Sequence, residues 1–211
     1  MQISWLGQSC FKIQSKDVTL VADPYEDKIG LKLPRLQANI VTISHNHYDH
    51  NNLKAVGGQP FVIDAPGEYE INQAFIWGIP SWHDDKEGAE RGPNIIFIYK
   101  IEDIKIAHLG DLGAVLTDEQ NDKLEGVDIL FIPVGGIYTL DAKKAAEVVG
   151  QIEPRLVIPM HYRLPGLKVK IDGVEKFCSE LGVKPAAAED KLKITKKELP
   201  VNDMKIVILK P

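Results

Sequence analysis

Hydrophobic residues in the first half of the chain fall into short runs rich in β-branched side chains, and glycine or proline separates these runs. Such runs are typical of β-strands, and the glycine and proline positions mark the turns between them. The predicted strands of this half are residues 1–5, 10–13, 18–22, 40–44, 61–63 and 75–79. One short helix is predicted there, over residues 52–56.

The second half differs because helical patterns alternate with strand-like runs. Its predicted strands are residues 95–100, 104–109, 129–133, 156–158 and 204–209. Its predicted helices are residues 117–124, 141–149 and 173–181. The first of these helices opens with a capping box from Thr117 to Gln120, and the second is capped by Asp141 or Thr139.

Residues 191–197 alternate charged with apolar side chains, which predicts an exposed strand. Strands and helices are therefore mixed along the chain, with strands predominating early. This pattern is typical of two sheets packed face to face with helices outside, a layered α/β arrangement. We predict one compact unit of two halves, residues 1–94 and 95–211.

Composition excludes several classes of protein. With 211 residues, a net charge of −5 and 44% hydrophobic residues, the chain can bury roughly 70% of its unfolded surface, so it needs no metal merely to fold. Cys10 and Cys178 lie far apart and indicate neither a zinc knuckle nor a disulfide framework. No long apolar segment and no basic cluster is present, which predicts a cytoplasmic protein with neither a membrane nor a nucleic acid as its partner.

The strongest chemical signal is an H-x-H-x-D-H motif that follows the predicted strand 40–44. Chance would produce it in on the order of one sequence in a few thousand, and its side chains suit zinc, iron or manganese. His45 and His47 project the same way from an extended backbone and can bind one ion. Strand alternation would send His50 away from Asp49, whereas a turn between residues 47 and 50 would aim both at a second ion. Spacing alone leaves that second ion open.

These residues and five others resemble the motifs of the metallo-β-lactamase superfamily, in particular small predicted zinc-dependent hydrolases similar to ascorbate-6-phosphate lactonases. The resemblance covers essentially the whole chain and implies a four-layer αββα sandwich of two mixed sheets with outer helices. The matching motifs, in the family's order, are Asp23 after a strand, His45 to His50, His83, Gly110-Asp111 and His161.

The resemblance also implies two metal sites, one held by His45, His47 and His83 and the other by Asp49, His50 and His161. Asp111 would bridge the two ions, which are expected to be zinc, with manganese or iron as alternatives. Asp49 and Asp111 would be the catalytic carboxylates. Asp23 would accept the far N–H of a ligand histidine and fix its tautomer.

Each assignment has a plainer alternative. His161 can be a hydrogen-bonded core histidine, and Asp111 or Asp23 an ordinary turn residue. His83 precedes a polar loop that we expect to be flexible, so it can be solvent-exposed. His108 should point away from Asp111 and belong either to the core or to the support of the ligands.

The implied function is hydrolysis by a hydroxide that bridges two ions. The expected substrate is a small anionic ester, lactone or phosphoester, because two ions, two carboxylates and a hydroxide leave a charge of about +1. Tyr138, Tyr162 and Arg163 are candidate substrate contacts from their positions alone. The alternatives are a phosphodiesterase or nuclease, and a non-hydrolytic di-iron redox or metal-binding protein. The pattern leaves open the oligomeric state and the role of the segment from Pro66 to Glu70.

Overall fold

The computed structural model describes all 211 residues. Its strands are β1 (Gln2–Trp5), β2 (Phe11–Gln14), β3 (Thr19–Ala22), β4 (Leu36–Gln37), β5 (Ile40–Thr42), β6 (Val56–Gly57), β7 (Phe61–Ile63), β8 (Gly67–Ile71), β9 (Ala74–Trp82), β10 (Pro93–Ile101), β11 (Ile104–His108), β12 (Ile129–Pro133), β13 (Leu156–Met160), β14 (Leu192–Lys193) and β15 (Lys205–Ile206). Its α-helices are α1 (Asp118–Leu124), α2 (Ala142–Ile152) and α3 (Val174–Glu180).

The strands form two large mixed sheets and one small one. The first sheet has the order β14-β1-β2-β3-β5-β7, and the second has the order β15-β13-β12-β11-β10-β9-β8. In each sheet one part is antiparallel and the rest is parallel: β3, β5 and β7 in the first, and β11, β12, β13 and β15 in the second. A separate parallel pair joins β4 and β6. The predicted α/β fold of packed mixed sheets is confirmed.

The two large sheets pack against each other through one hydrophobic core. Phe11 of the first sheet stacks on Phe131 of the second, with ring centres 3.9 Å apart. Thr42 and Tyr99 meet across the same interface, where their hydroxyl oxygens lie 2.7 Å apart in a buried hydrogen bond. Tight contact between the sheets holds their strand ends in a fixed relation, which is what a site built from both sheets requires.

Helix boundaries follow the capping signals of the sequence. Thr117 and Gln120 form the predicted capping box of α1. Asp141, rather than Thr139, caps α2 by accepting a hydrogen bond from the Lys144 backbone N–H. The buried face of α2 repeats every three or four residues, as an amphipathic helix on a sheet requires: Ala145, Val148, Val149 and Ile152.

Three local predictions differ from the structure. The helix expected at 52–56 is a single 3-10 turn, Leu53–Ala55, because five residues are too few to nucleate an α-helix. The strands expected over 191–197 and 204–209 shrink to β14 and β15, since only two residues of each pair regularly with a neighbour. The segment from Pro66 to Glu70 contributes to β8, an edge strand whose exposed charges hide its pattern. No helix is both long and apolar enough to cross a membrane.

The parallel strands of both sheets direct their carboxyl ends to one side of the molecule. Asp23 follows β3, His45 lies three residues after β5, Asp111 three residues after β11, and His161 directly follows β13. Asp23 and His161 turn the chain sharply with φ angles of 46° and 51°. Asp and His tolerate this left-handed conformation better than most residues, and such strained positions concentrate at functional sites.

Candidate metal centre

The H-x-H-x-D-H segment forms a turn rather than an extended strand. His47 N–H donates to the His45 carbonyl at 3.1 Å, and His50 N–H donates to the His47 carbonyl at 2.9 Å. The turn sends His45 and His47 toward one group of side chains, and Asp49 and His50 toward another. It therefore has the form that would aim Asp49 and His50 together at a second position.

Two groups of metal-binding side chains result, each with ligand atoms within 4.8 Å of one another. We call them the first cluster, His45, His47 and His83, and the second cluster, Asp49, His50, Asp111 and His161. Every residue that the sequence proposes as a ligand lies in one of them. His83 and His161 are buried, so solvent exposure of His83 is wrong.

One carboxylate oxygen connects the clusters. Asp111 Oδ2 lies 3.2 Å from His50 Nε2, 3.3 Å from His161 Nε2 and 3.4 Å from His83 Nε2. A charge-assisted hydrogen bond would be about 2.7–2.9 Å long. Two ligand atoms on one tetrahedral ion, each about 2.0–2.1 Å from it, lie about 3.3 Å apart. The separations around Asp111 Oδ2 therefore fit shared metal ligands better than direct hydrogen bonds.

Neighbouring side chains fix the tautomers of two histidines. Asp23 Oδ2 accepts from His50 Nδ1 at 2.9 Å and from the Ser44 hydroxyl at 2.6 Å, while Asp23 Oδ1 accepts from Ser44 N–H at 2.7 Å. Since the Ser44 hydroxyl donates its only hydrogen to Asp23, it must accept from His45 Nδ1, 2.9 Å away. His45 Nε2 and His50 Nε2 are then left buried without a hydrogen-bond partner, which suits metal ligands.

The protonation states also suit metal binding. Burial, reinforced by the charge of His50, lowers the pKa of His45 to about 3, so its ring is neutral. Burial alone would raise the pKa of Asp111, but the charges of His161 and His50 outweigh it and place the pKa well below the ordinary value. Burial opposes the charge on His50, yet Asp111 and Asp49 raise its pKa well above the ordinary value. Asp111 is therefore ionised and His45 neutral, as metal ligands must be, whereas His50 would release a proton when it binds an ion.

Asp23 is the fully buried support that the resemblance implies. Burial would raise its pKa, but the hydrogen bond from His50 and the charges of the nearby histidines lower it. His108 touches no ligand side chain. Its Nδ1 accepts from Gly110 N–H at 3.1 Å, so its Nε2 donates to the Ser9 carbonyl at 2.8 Å. It ties together two backbone segments beside Asp111.

The loop after His83 is ordered, contrary to the expectation of flexibility. Asp84 is buried, and its carboxylate accepts four backbone N–H groups at 2.7–3.0 Å, from Lys86, Gly88, Glu90 and Arg91. These hydrogen bonds, which outweigh desolvation, lower the pKa of Asp84 to about 2. One charged side chain therefore organises the loop that begins at a proposed ligand.

Of the three candidate substrate contacts, only one lines the cavity. Tyr138 lines the cavity beside the clusters. Tyr162 is a core residue, 5% exposed, with its ring centre 4.9 Å from that of Trp5. Arg163 does not line the cavity either. Adjacency to His161 in sequence therefore does not place Tyr162 or Arg163 at the cavity.

Three further supporting residues, like Ser44, were not predicted. Gln8 Nε2 donates to Asp49 Oδ2 at 2.9 Å, and the Gln8 carbonyl accepts from His161 N–H at 3.0 Å. Ser9 Oγ donates to Asp111 Oδ1 at 3.2 Å, and Asn94 Oδ1 accepts from Asp111 N–H at 2.9 Å. The only sequence signal for Gln8 and Ser9 was that they lie in a polar turn, Gly7-Gln8-Ser9, between two apolar strands. Such a turn has nothing that distinguishes it from other turns.

The clusters open onto a cavity of about 820 Å³. That size suits a small-molecule ligand. The cavity is lined by Lys28, Ile29, Asn46, His47, Tyr48, Asp49, His83, Arg91, Asp111, Tyr138, His161, Lys168, Val169 and Lys170.

Known proteins resemble this chain in sequence and in structure. A family model described as the beta-lactamase superfamily domain matches residues 2–161. A protein named UPF0173 metal-dependent hydrolase, from Methanopyrus kandleri, is 24% identical over 215 residues, covering 87% of this chain and 94% of that protein. A Thermotoga maritima structure, described as a candidate zinc-dependent hydrolase of the metallo-β-lactamase superfamily, is 34% identical, covers 99% of this chain and 97% of that one, and has a TM-score of 0.80. The structure of Igni18, a metallo hydrolase from Ignicoccus hospitalis, aligns over 92% of this chain and 99% of its own length, with a TM-score of 0.68. Because the identity is 19%, this similarity concerns the fold alone.

Proposed function

Because the chain belongs to the metallo-β-lactamase superfamily, we propose that it is a metal-dependent hydrolase that holds two divalent ions side by side. His45, His47 and His83 would hold one ion, Asp49, His50 and His161 the other, and Asp111 would bridge them. Zinc is the expected metal because it binds imidazoles and carboxylates. Manganese and iron bind the same ligand types and are the alternatives.

One observation carries the proposal: Asp111 Oδ2 lies within 3.4 Å of histidine nitrogens from both clusters. A carboxylate that only formed an ion pair would approach one partner closely. An oxygen at similar, longer distances from three rings instead fits a group that shares its ligand role between two positions.

Zinc bound there would lower the pKa of a water molecule to about 7 and would itself polarise the oxygen of the bond under attack. The chain's own residues hold and orient this chemistry. Asp23 and Ser44 fix the rings of His50 and His45. Burial opposes the charge on Asp49, but the neighbouring His50 lowers the Asp49 pKa well below its ordinary value, so this cavity-lining carboxylate stays ionised and can accept a hydrogen bond from water.

The proposed substrate is a small anionic ester, lactone or phosphoester. Two divalent ions carry +4, and the two carboxylates of the second cluster, Asp49 and Asp111, remove two charges. The centre therefore stays positive even with a hydroxide bound, which favours anions. The cavity volume of about 820 Å³ is consistent with a small molecule.

The test combines metal analysis with a substrate screen. The purified protein, loaded separately with zinc, manganese and iron, is assayed on lactones, thioesters and phosphodiesters, and its metal content is measured by elemental analysis. Two zinc equivalents per chain, a colourless preparation and turnover of one substrate class are the expected results. Iron with visible absorption, and no hydrolysis of any class with any metal, would overturn the proposal in favour of a redox protein.

A further inference from the structure

The cavity lining contains an unusual distribution of charge. It includes four cations, Lys28, Arg91, Lys168 and Lys170. Its only carboxylates, Asp49 and Asp111, belong to the second cluster. The whole chain carries a net charge of −5. The cations at this opening therefore oppose the overall charge, and we call the four of them the cationic rim.

Backbone contacts between distant segments bring part of the rim together. Lys168 N–H donates to the Ile29 carbonyl at 2.8 Å, which ties the segment of Lys168 and Lys170 to that of Lys28. Gly30 has a φ of 98°, and a Cβ there would lie 2.1 Å from the Gly166 carbonyl oxygen, so only glycine permits this approach. The fold thus holds three lysines at one side of the opening, and like charges repel unless an anion joins them.

Ion pairing within the protein leaves this charge largely available. Lys168 and Lys170 are exposed and form no ion pair, whereas Lys28 pairs with Glu26 at 2.8 Å and Arg91 with Glu90 at 3.6 Å. Lys28 Nζ also lies 4.1 Å from the centre of the Tyr48 ring. The two unpaired lysines are therefore the main sites at which an outside anion can bind.

Arg91 reaches the opening from another element and is held there. Its backbone N–H donates to Asp84 at 2.7 Å, and its Nη2 donates to the Ile137 carbonyl at 3.4 Å. Its guanidinium carbon lies 5.9 Å from the centre of the Tyr138 ring, within the range of a cation–π contact. A guanidinium positioned in this way has lost part of its freedom before any ligand binds.

We propose that the cationic rim binds a second anionic group of the substrate, remote from the bond that the metal centre cleaves. This inference rests on the proposed function, because it assigns the substrate class of the same cavity. The substrate would then be a small molecule with a carboxylate or phosphate at one end and the hydrolysed bond at the other. Lys168 and Lys170 contribute most of the attraction, and Lys28 and Arg91 add to it.

The test measures binding to the zinc-loaded protein without turnover. Calorimetry compares succinate, glutarate and adipate with butyrate, valerate and hexanoate, which have the same numbers of carbon atoms but one carboxylate each. We expect the best-fitting dicarboxylate to bind about tenfold more tightly than its matched monocarboxylate at low salt, and this preference to shrink as the ionic strength rises. 3-Phosphonopropionate, with its higher charge, distinguishes phosphate-like from carboxylate recognition.

Matched variants assign the preference to the rim. Lys28→Gln/Lys168→Gln/Lys170→Gln should reduce it to about twofold or less. Lys143→Gln/Lys184→Gln/Lys193→Gln removes the same charge from exposed lysines outside the cavity and should retain the preference. No preference in the wild type, or its survival in the first triple variant, overturns this inference. If the protein hydrolyses esters but does not prefer dicarboxylates, the role of the cationic rim is rejected and the proposed function stands. If it prefers dicarboxylates but hydrolyses no substrate, the proposed function is rejected and the anion-binding role of the rim stands.

Discussion

The two clusters of the candidate metal centre differ in charge and in burial. The first consists of three neutral-type ligands, and its His47 is exposed. The second contains two carboxylates, and three of its four members are buried. Carboxylates in a buried site bind a divalent ion more strongly than imidazoles in an open site do. In the open site, water screens the interaction between the ion and its ligands. The second cluster should therefore retain its ion more firmly, while the first should exchange its ion and meet the substrate.

The largest effect should follow from Asp111→Asn, because Asp111 is the one residue whose oxygen faces both clusters. Loss of this charge should reduce the metal content from two ions to one or none. Because a Lewis acid contributes several kcal/mol to the transition state, turnover should fall by about a thousandfold or more. Elemental analysis and steady-state kinetics measure both effects.

His47→Ala provides the contrast within the same experiment. It removes an exposed ligand of the first cluster only, so one ion should remain bound in the second. Loss of both ions from His47→Ala would contradict the proposed difference between the clusters.

The next effect concerns the support of the second cluster. Asp23→Asn keeps a residue type that tolerates the φ of 46° but removes the charge that orients His50. Loss of such a partner typically weakens metal binding about 10–100-fold. Competition with a chelator should show this weakening for the second ion and little change for the first. The exposed Asp17→Asn is the matched control.

The sequence allowed the ligands to be proposed more readily than the supporting groups. His45 to His50 form a contiguous motif, and Asp111 and His161 follow apolar runs that are recognisable as strands. Apart from Asp23, the residues whose hydrogen bonds fix these side chains have no distinguishing pattern. Gln8, for example, contacts Asp49 across 41 positions of the chain.

Two errors show what adjacency in sequence cannot reveal. Tyr162 follows His161 but lies in the core, where its ring packs against Trp5. Arg91 was not considered, because it lies eight positions after His83 in a polar loop that resembles a flexible one. The four hydrogen bonds to Asp84, together with the hydrogen bond from Arg91 to the Ile137 carbonyl, hold Arg91 at the cavity.

A third prediction compares the clusters by their pH dependence in the metal-free protein. The folded-state pKa of His45 is about 3, below an unfolded value of about 6.5. Its contribution to stability is therefore complete above pH 6.5 and is lost as the pH falls toward 3. His50 has a raised pKa, so its contribution is complete below pH 6.5 and is lost as the pH rises through the folded-state value.

Urea unfolding at pH 7.5 and pH 5.5 tests these opposite signs. The wild type should lose about 1 kcal/mol of its free energy of unfolding through His45 when the pH falls from 7.5 to 5.5, and His45→Gln should abolish this loss. His50→Gln should instead remove a stabilisation that the wild type gains as the pH falls. A change of the same sign in both variants would refute the assigned protonation states.

The smallest effect should come from Gln8→Ala, which removes the only amide that donates to Asp49. A hydrogen bond to a charged group can contribute about 1.5–3 kcal/mol, but Asp49 lines the cavity, so water can replace the lost N–H group. We therefore expect turnover to fall by only about threefold to fivefold, with the affinity of the second ion reduced by a similar factor. Gln73→Ala is a close control, since Gln73 has a comparable φ of 63° and is exposed far from the clusters. If both variants lose the same free energy of unfolding and neither changes metal affinity, Gln8 serves the turn alone. A loss of metal affinity confined to Gln8→Ala would instead show that the second cluster depends on support from the turn between β1 and β2, which contributes no side chain to either cluster.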